Sequence, residues 1–367
     1  MKKKLSNKIL LTVLWLIISF AFGDPIYDHL VWSDEFNTAG AGPVDSTKWF
    51  HQTKLPAGDS WYNGELQHYT DRMANAYVYN GSLHLLAKKE TFTDQGQTKN
   101  FTSARLNSKY SFLYGRIEVR AKLPSGAGTW PAIWMLGKNI NEDGAYWDNL
   151  GYDTTPWPDC GEIDIMEHWG TNQNFVQSAI HTPSSYGGTI NKGGRIIPTA
   201  SSDYHVYAMD WSSEKLEFSV DSIVHYTYQP IIKDVSTWPF DQEMYLLLNV
   251  AILSSIDPSF SQSSMDVDYV RYYNESPVAI SENASMVSSS VYPNPLNDHL
   301  NISFGAVADE KVTVKIYRLD GKLVKTHTQS SNFDYISIGG LGNLPKGMYI
   351  VSYDLFGQHY RFKVIKH

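Results

Sequence analysis

Cysteine is almost missing from this 367-residue chain. Cys160 stands alone, which excludes an intrachain disulfide. A lone thiol of this kind reads as a small buried hydrophobe rather than a nucleophile. An excess of positive charge is missing too. Thirty Lys and Arg face 38 Asp and Glu, for a net charge of −8. That balance disfavours nucleic acid and strongly anionic polysaccharides as partners, because long-range repulsion opposes encounter. Convincing amphipathic helices are absent, and beyond the N-terminus no apolar run is long enough to span a membrane. Tryptophan is absent from residues 291–367.

Aromatic residues, by contrast, make up 14% of the chain, with 24 Tyr and 11 Trp. That abundance, with many Gly and Asn, points to a β-rich protein. The length calls for two domains. Alternation marks the strands: Arg116-Ile117-Glu118-Val119-Arg120-Ala121-Lys122-Leu123 places apolar residues at odd positions and charged ones at even positions. Residues 82–87, 204–211, 216–220, 244–251 and 265–273 read the same way. Strands at this spacing suggest a two-sheet sandwich. Residues 138–160 form a long loop whose Trp147, Tyr152 and Trp157 argue for packing or ligand contact. At the start, Lys2-Lys3-Lys4 precedes an apolar run from Ile9 to Phe20 and the small residues of Ala21-Phe22-Gly23. This reads as a signal peptide, residues 1–23, removed near Gly23/Asp24. The competing reading, a membrane anchor, needs a longer run. No cysteine follows the run to carry a lipid.

The densest chemistry lies in Gly161-Glu162-Ile163-Asp164-Ile165-Met166-Glu167-His168. On an extended strand, Glu162 and Asp164 share one face while Ile163 and Ile165 face the core. Glu167 has the wrong parity. It joins the other acids only if a β-bulge absorbs one residue, most simply Met166. Like charges packed together push at least one pKa up, which is how one site obtains both a nucleophile and a proton donor. Taken alone, the run reads equally well as a solvated acidic face. The surrounding Trp130, Trp134, Trp157 and Trp169 favour sugar rings stacked on indoles with acids at the scissile bond.

Several ordered segments carry a family resemblance over residues 28–273. They are Trp61-Tyr62-Asn63-Gly64-Glu65-Leu66-Gln67-His68-Tyr69, Tyr114 to Ala121, Gly128-Thr129-Trp130-Pro131-Ala132-Ile133-Trp134-Met135-Leu136, Gly161 to Glu167, Ser178-Ala179-Ile180-His181-Thr182 and Met265 to Arg271. The chain resembles glycoside hydrolase family 16 and, within it, the laminarinase-like endo-β-1,3-glucanases. The resemblance implies an all-β fold, a concanavalin A-like β-jelly-roll sandwich with an open glycan cleft. It implies Glu162 as nucleophile, Glu167 as general acid/base and Asp164 as assistant, in a retaining mechanism. Trp130, Trp134, Asn63, Glu65 and His181 then bind substrate. No cofactor is required for catalysis, but Glu35 and Asp268 resemble a structural calcium site. One departure touches specificity. After Leu248-Asn249-Val250-Ala251 the family often continues with a Gly-Gly pair and a Trp, whereas this chain has Ile252-Leu253-Ser254-Ser255-Ile256. Mixed-linkage β-glucan and agar- or porphyran-type galactan therefore stay open as substrates, beside a non-catalytic glycan-binding role.

Residues 274–290 are Ser-rich and polar and read as a linker between the catalytic domain (24–273) and a last block (291–367). In that block Asp320-Gly321 signals a hairpin. Val291-Tyr292-Pro293-Asn294-Pro295, Leu319 to Val324 and Leu344 to Val351 resemble the sorting domain of the type IX secretion pathway, a small β-sandwich. The implied route is export to the periplasm, then passage to the outside or the cell surface by that machinery. The missing Trp counts against a carbohydrate-binding module. A monomer is the default state.

Overall fold

The computed structural model describes residues 26–275 except 39, and residues 289–366 except 309–310, 319–321, 331–332 and 356–357. The expected signal peptide, most of the linker and the Asp320-Gly321 turn lie outside the described residues. The chain divides into two compact units, at Pro277/Val278. Among the described residues helix is limited to three 3-10 turns, at 62–64, 148–150 and 170–172.

Two sheets build the first unit. One has ten strands, centred on Gly115–Lys122 between His205–Trp211 and Gln262–Glu275. Its Gly115–Lys122 strand alternates buried and half-buried, as the charge pattern required. Ile117, Val119 and Ala121 enter the core while Arg116 forks onto Asp210 from the other face. The second sheet has seven strands in the order Lys192–Ile196, Phe175–His181, Glu162–His168, Thr129–Gly137, Met244–Ile252, Arg105–Phe112 and Trp49–His51. Ile163, Met135, Leu246 and Ile180 share one core with the first sheet's apolar face. Burying such side chains contributes about 1.5–3 kcal/mol each, so the register of each strand is firmly set.

That register lays out the opposite face of the seven-stranded sheet in rows. His181, Glu162, Leu136 and Tyr245 form one row, and Ala179, Asp164, Trp134, Leu247 and Asn107 the next. Gln177, Glu167, Ala132, Asn249 and Arg105 form the third. Five strands drawn from residues 105–252 thus place acids, amides and an indole side by side.

The second unit holds a three-stranded sheet, Ser289–Tyr292, Leu300–Ala308 and Phe333–Ile338, and a four-stranded one, Leu323–Gln329, Val312–Arg318, Gly347–Leu355 and Gln358–Lys366. Its own core gathers Leu300, Ile302, Phe304, Val314, Val351 and Tyr353, among others. Asn294, from the Pro-rich motif, donates to Lys363 O and accepts from Ile365 N, which ties the start of the unit to its last strand.

Candidate active site

The Glu162–His168 strand carries the expected bulge. Asp164 and Met166 pair with consecutive residues, Trp134 and Ile133, so Ile165 is the additional residue against that neighbour. On the other side, Asp164 and Glu167 face Ala179 and Gln177, three residues against two. The bulge thus begins one residue before Met166. Ile165 and Met166 both enter the core, and Glu167 returns to the face of Glu162 and Asp164. The Ile165 carbonyl accepts a hydrogen bond from the buried Ser178 hydroxyl at 2.7 Å. Gly161, just before the strand, has φ +75, and a Cβ there would stand 2.8 Å from the Phe240 ring. Only glycine delivers Glu162 at that angle.

Each of the two glutamates takes an indole N–H. Trp157 Nε1 donates to Glu162 Oε2 at 2.8 Å, and Trp130 Nε1 donates to Glu167 Oε1 at 3.1 Å. Gln177 adds a longer bond to Glu167 Oε2, 3.4 Å. His181 Nε2 lies 3.1 Å from Asp164 Oδ2 and 3.6 Å from Glu162 Oε1. Burial pushes all three acids up, to about 8. For Glu162 and Glu167 the Asp164 charge adds to burial, while His181 and the indole donors pull back. Glu162 keeps 17% of its side chain exposed against 6% for Asp164, so desolvation weighs more heavily on Asp164.

Trp134 is half-buried and fixed from two sides. Its Nε1 donates to Asn249 Oδ1 at 2.7 Å, and the Arg105 guanidinium lies 4.8 Å from its ring centre. Arg105 is itself buried, packed against Trp61 and bonded to Gln52 and to both oxygens of Glu142, at 2.7 and 3.0 Å. Glu142 belongs to the 138–160 loop, which also brings Trp157 to Glu162. Asn249 donates to Tyr69, whose hydroxyl donates to Glu65. Glu65 is buried and also accepts from Gln67, so the face feels it through Tyr69 and Asn249. Asn63 is exposed in a left-handed turn, φ 59, and its side chain has no hydrogen bond to the protein among the described residues. Trp130 stacks on Trp169 at 5.8 Å. Sequence reasoning missed Arg105, Glu142, Ser178 and Asn249 as supports, and named Trp157 and Trp169 only as neighbours.

The calcium expectation does not fit its residues. Glu35 receives two bonds from Arg271, at 2.9 and 2.7 Å, and that guanidinium holds its carboxyl below the usual range. Asp268 receives Arg120 at 2.6 Å. Both carboxylates already face a cation. Among the described residues, the cluster of three metal-capable side chains is Glu162, Asp164 and His181 instead.

A two-sheet sandwich with paired carboxylates and indoles on one outer face has the build of a polysaccharide-cleaving hydrolase. Residues 65–271 match the description "Glycosyl hydrolases family 16", and residues 290–367 match "Secretion system C-terminal sorting domain". The chain belongs to glycosyl hydrolase family 16. It is 40% identical over 262 residues to a β-glucanase of Rhodothermus marinus, which covers 67% of this chain and 85% of the relative. Among solved structures it resembles a LamA variant of Zobellia galactanivorans in complex with laminaritriose and laminaritetraose, at 40% identity and TM-score 0.63, over 68% of this chain and all of that one. The laminarinase of Rhodothermus marinus follows at 39% identity and TM-score 0.58, over 69% and 99% of the two chains.

Proposed function

We propose that this chain is a secreted endo-β-1,3-glucanase that cleaves laminarin-type β-glucan with retention of configuration. The carrying observation is the bulge, which puts Glu167 on the face of Glu162 with an indole donor on each. A retaining pair needs its carboxyls about 5–5.5 Å apart, a separation that acids on the same face of one strand can offer. Glu167 protonates the leaving oxygen while Glu162 attacks the anomeric carbon. Glu167 then takes a proton from water as the glycosyl-enzyme is released. Asp164, between them and beside His181, tunes the charge at Glu162. The catalytic steps use side chains alone and no cofactor. Trp130 and Trp134 offer flat apolar faces to sugar rings, Asn63 a free amide, and Ala132 the small side chain that leaves room above the third row. The laminarinases among the relatives support the β-1,3 linkage.

The Ile252–Ile256 loop favours a test across linkages. Its backbone is bonded down onto Gln67 and Gly128, where the family often carries Gly-Gly and Trp. Reducing-sugar release is measured on laminarin, lichenan, agarose and carrageenan, for the parent and Glu162→Gln. Laminarin is cut fastest by the parent, and the variant loses nearly all turnover. Agarose cut with laminarin untouched overturns the substrate, and near-normal turnover by the variant overturns the nucleophile.

For the rest of the chain, the proposed layout is a signal peptide at 1–23, a catalytic domain at 24–273, a linker at 274–290 and a type IX sorting domain at 291–367. The sorting-domain match supports secretion to the exterior or the cell surface; the periplasmic step, tail removal and a monomeric product belong to this proposal.

A further inference from the structure

Glu162, Asp164 and His181 bring one nitrogen and two carboxylate oxygens within 4.8 Å of one another. We propose that these three side chains bind one borderline divalent cation, Zn²⁺ or Cu²⁺, and that its binding switches hydrolysis off. Zinc takes His nitrogen at about 2.0–2.1 Å and carboxylate oxygen at about 2.0–2.2 Å in a tetrahedron, so its ligand atoms stand about 3.3–3.5 Å apart. The distances from His181 Nε2, 3.1 Å to Asp164 Oδ2 and 3.6 Å to Glu162 Oε1, are already on that scale.

A second observation points the same way. Asp164 is 4% exposed, yet its Oδ2 takes no hydrogen bond even with His181 Nε2 beside it. A buried oxygen without a bond costs free energy, and a cation between it and the imidazole removes that cost. The ligands are also held in advance. Glu162 and His181 are register partners on adjacent strands, with Asp164 two residues along. Glu162, partly exposed, leaves the approach open on the outer face and a fourth position for water. Calcium and magnesium want six or more oxygens, and a mixed set with one imidazole selects against them. Any proton on the ligating groups passes to solvent as the metal binds. A ligated Glu162 shares its negative charge with the cation and is a weaker nucleophile toward the anomeric carbon, which the ion also crowds. The switching half of this inference rests on the hydrolase reading; the binding half does not.

The test uses the purified full chain. Calorimetric titration with zinc chloride should saturate at one equivalent. Cobalt(II) should give the visible absorption of a four-coordinate site and be displaced by zinc. Laminarin hydrolysis should fall with the same saturation and return on adding EDTA. His181→Ala should weaken zinc binding at least 10-fold, the scale of a disturbed metal shell, with its melting temperature read alongside. Asp164→Asn gives an independent second variant. No saturable binding by the parent, or binding unchanged in both variants, overturns the site. One-equivalent binding with hydrolysis unaffected overturns the switch. A parent that binds zinc but cuts no glucan overturns the proposed function and leaves the metal site standing.

Discussion

At the scale of single residues, two indole N–H groups define how the acids differ. Trp157 reaches Glu162 from a loop, whereas Trp130 reaches Glu167 from the adjacent strand. A donor to a carboxylate favours its charged form. Glu162 must be ionised to attack, so its donor supports the first step. Glu167 must give and then take a proton, so its donor sets where that exchange is balanced. Trp157→Phe keeps the flat ring and removes the N–H. The expected result is a kcat lowered about 10-fold, the worth of one hydrogen bond to a charged group at roughly 1.5 kcal/mol, and an acid limb of the kcat/KM profile moved to higher pH. Trp130→Phe should move the alkaline limb upward instead, since Glu167 then holds its proton longer. Steady-state kinetics from pH 4.5 to 9.5 decide it. Identical profiles in both variants mean that the indoles only pack.

At the scale of elements, the Glu162–His168 strand works because it is irregular. Alternation made most strands of the first unit legible in the sequence, and the parity of Glu167 made a bulge legible too. Its position was off by one because Ile165 and Met166 are both apolar and both reach the core; only pairing with Trp134 and Ile133 separates them. Arg105 and Asn249 were not legible, since their meaning depends on register across strands over a hundred residues apart, and Glu142 reads as plain loop until the fold brings it to Arg105. Glu35 and Asp268 misled for the same reason: Arg271, on the strand of Asp268, and Arg120 supply the cations. Ser178 offers the sharpest test of the bulge. Its hydroxyl bonds the Ile165 carbonyl inside the bulge and also meets His225 Nε2. Ser178→Ala should cost about 1–3 kcal/mol by leaving a buried acceptor unmet, read by urea unfolding, and lower kcat more than it raises KM. Deleting Ile165 and Met166 together should leave a regular strand with Glu167 an odd step from Glu162, turned toward the core side, and cost about 10²–10⁴-fold in kcat, the range of a lost general acid, whereas deleting Ile165 alone keeps Glu167 an even step away, on the outer face. Full activity after the double deletion removes the bulge from the mechanism.

At the scale of the whole molecule, the acid cluster sets stability against activity. Asp and Glu titrate near 4 in an unfolded chain, and Glu162, Asp164 and Glu167 titrate near 8 when folded. The folded state therefore holds protons that the unfolded state has released. Stability from these groups is fully present below about pH 4 and is lost as pH rises toward about 8. Other titrating groups contribute as well, but they cancel when the parent is compared with a single amide variant. Glu162→Gln and Asp164→Asn each remove one ionisation while keeping shape and most hydrogen bonds. Both should melt above the parent at pH 8, by about 2–4 °C for each kcal/mol recovered in a domain of this size, and the gap should close toward pH 4.5. The same variants are expected to have lost turnover, so the gain would measure what the working site costs the fold. Melting curves that run parallel from pH 4.5 to 8.5 would show that the acids are solvated in the free enzyme, and the raised titration that lets Glu167 act as an acid near neutrality would fall with them.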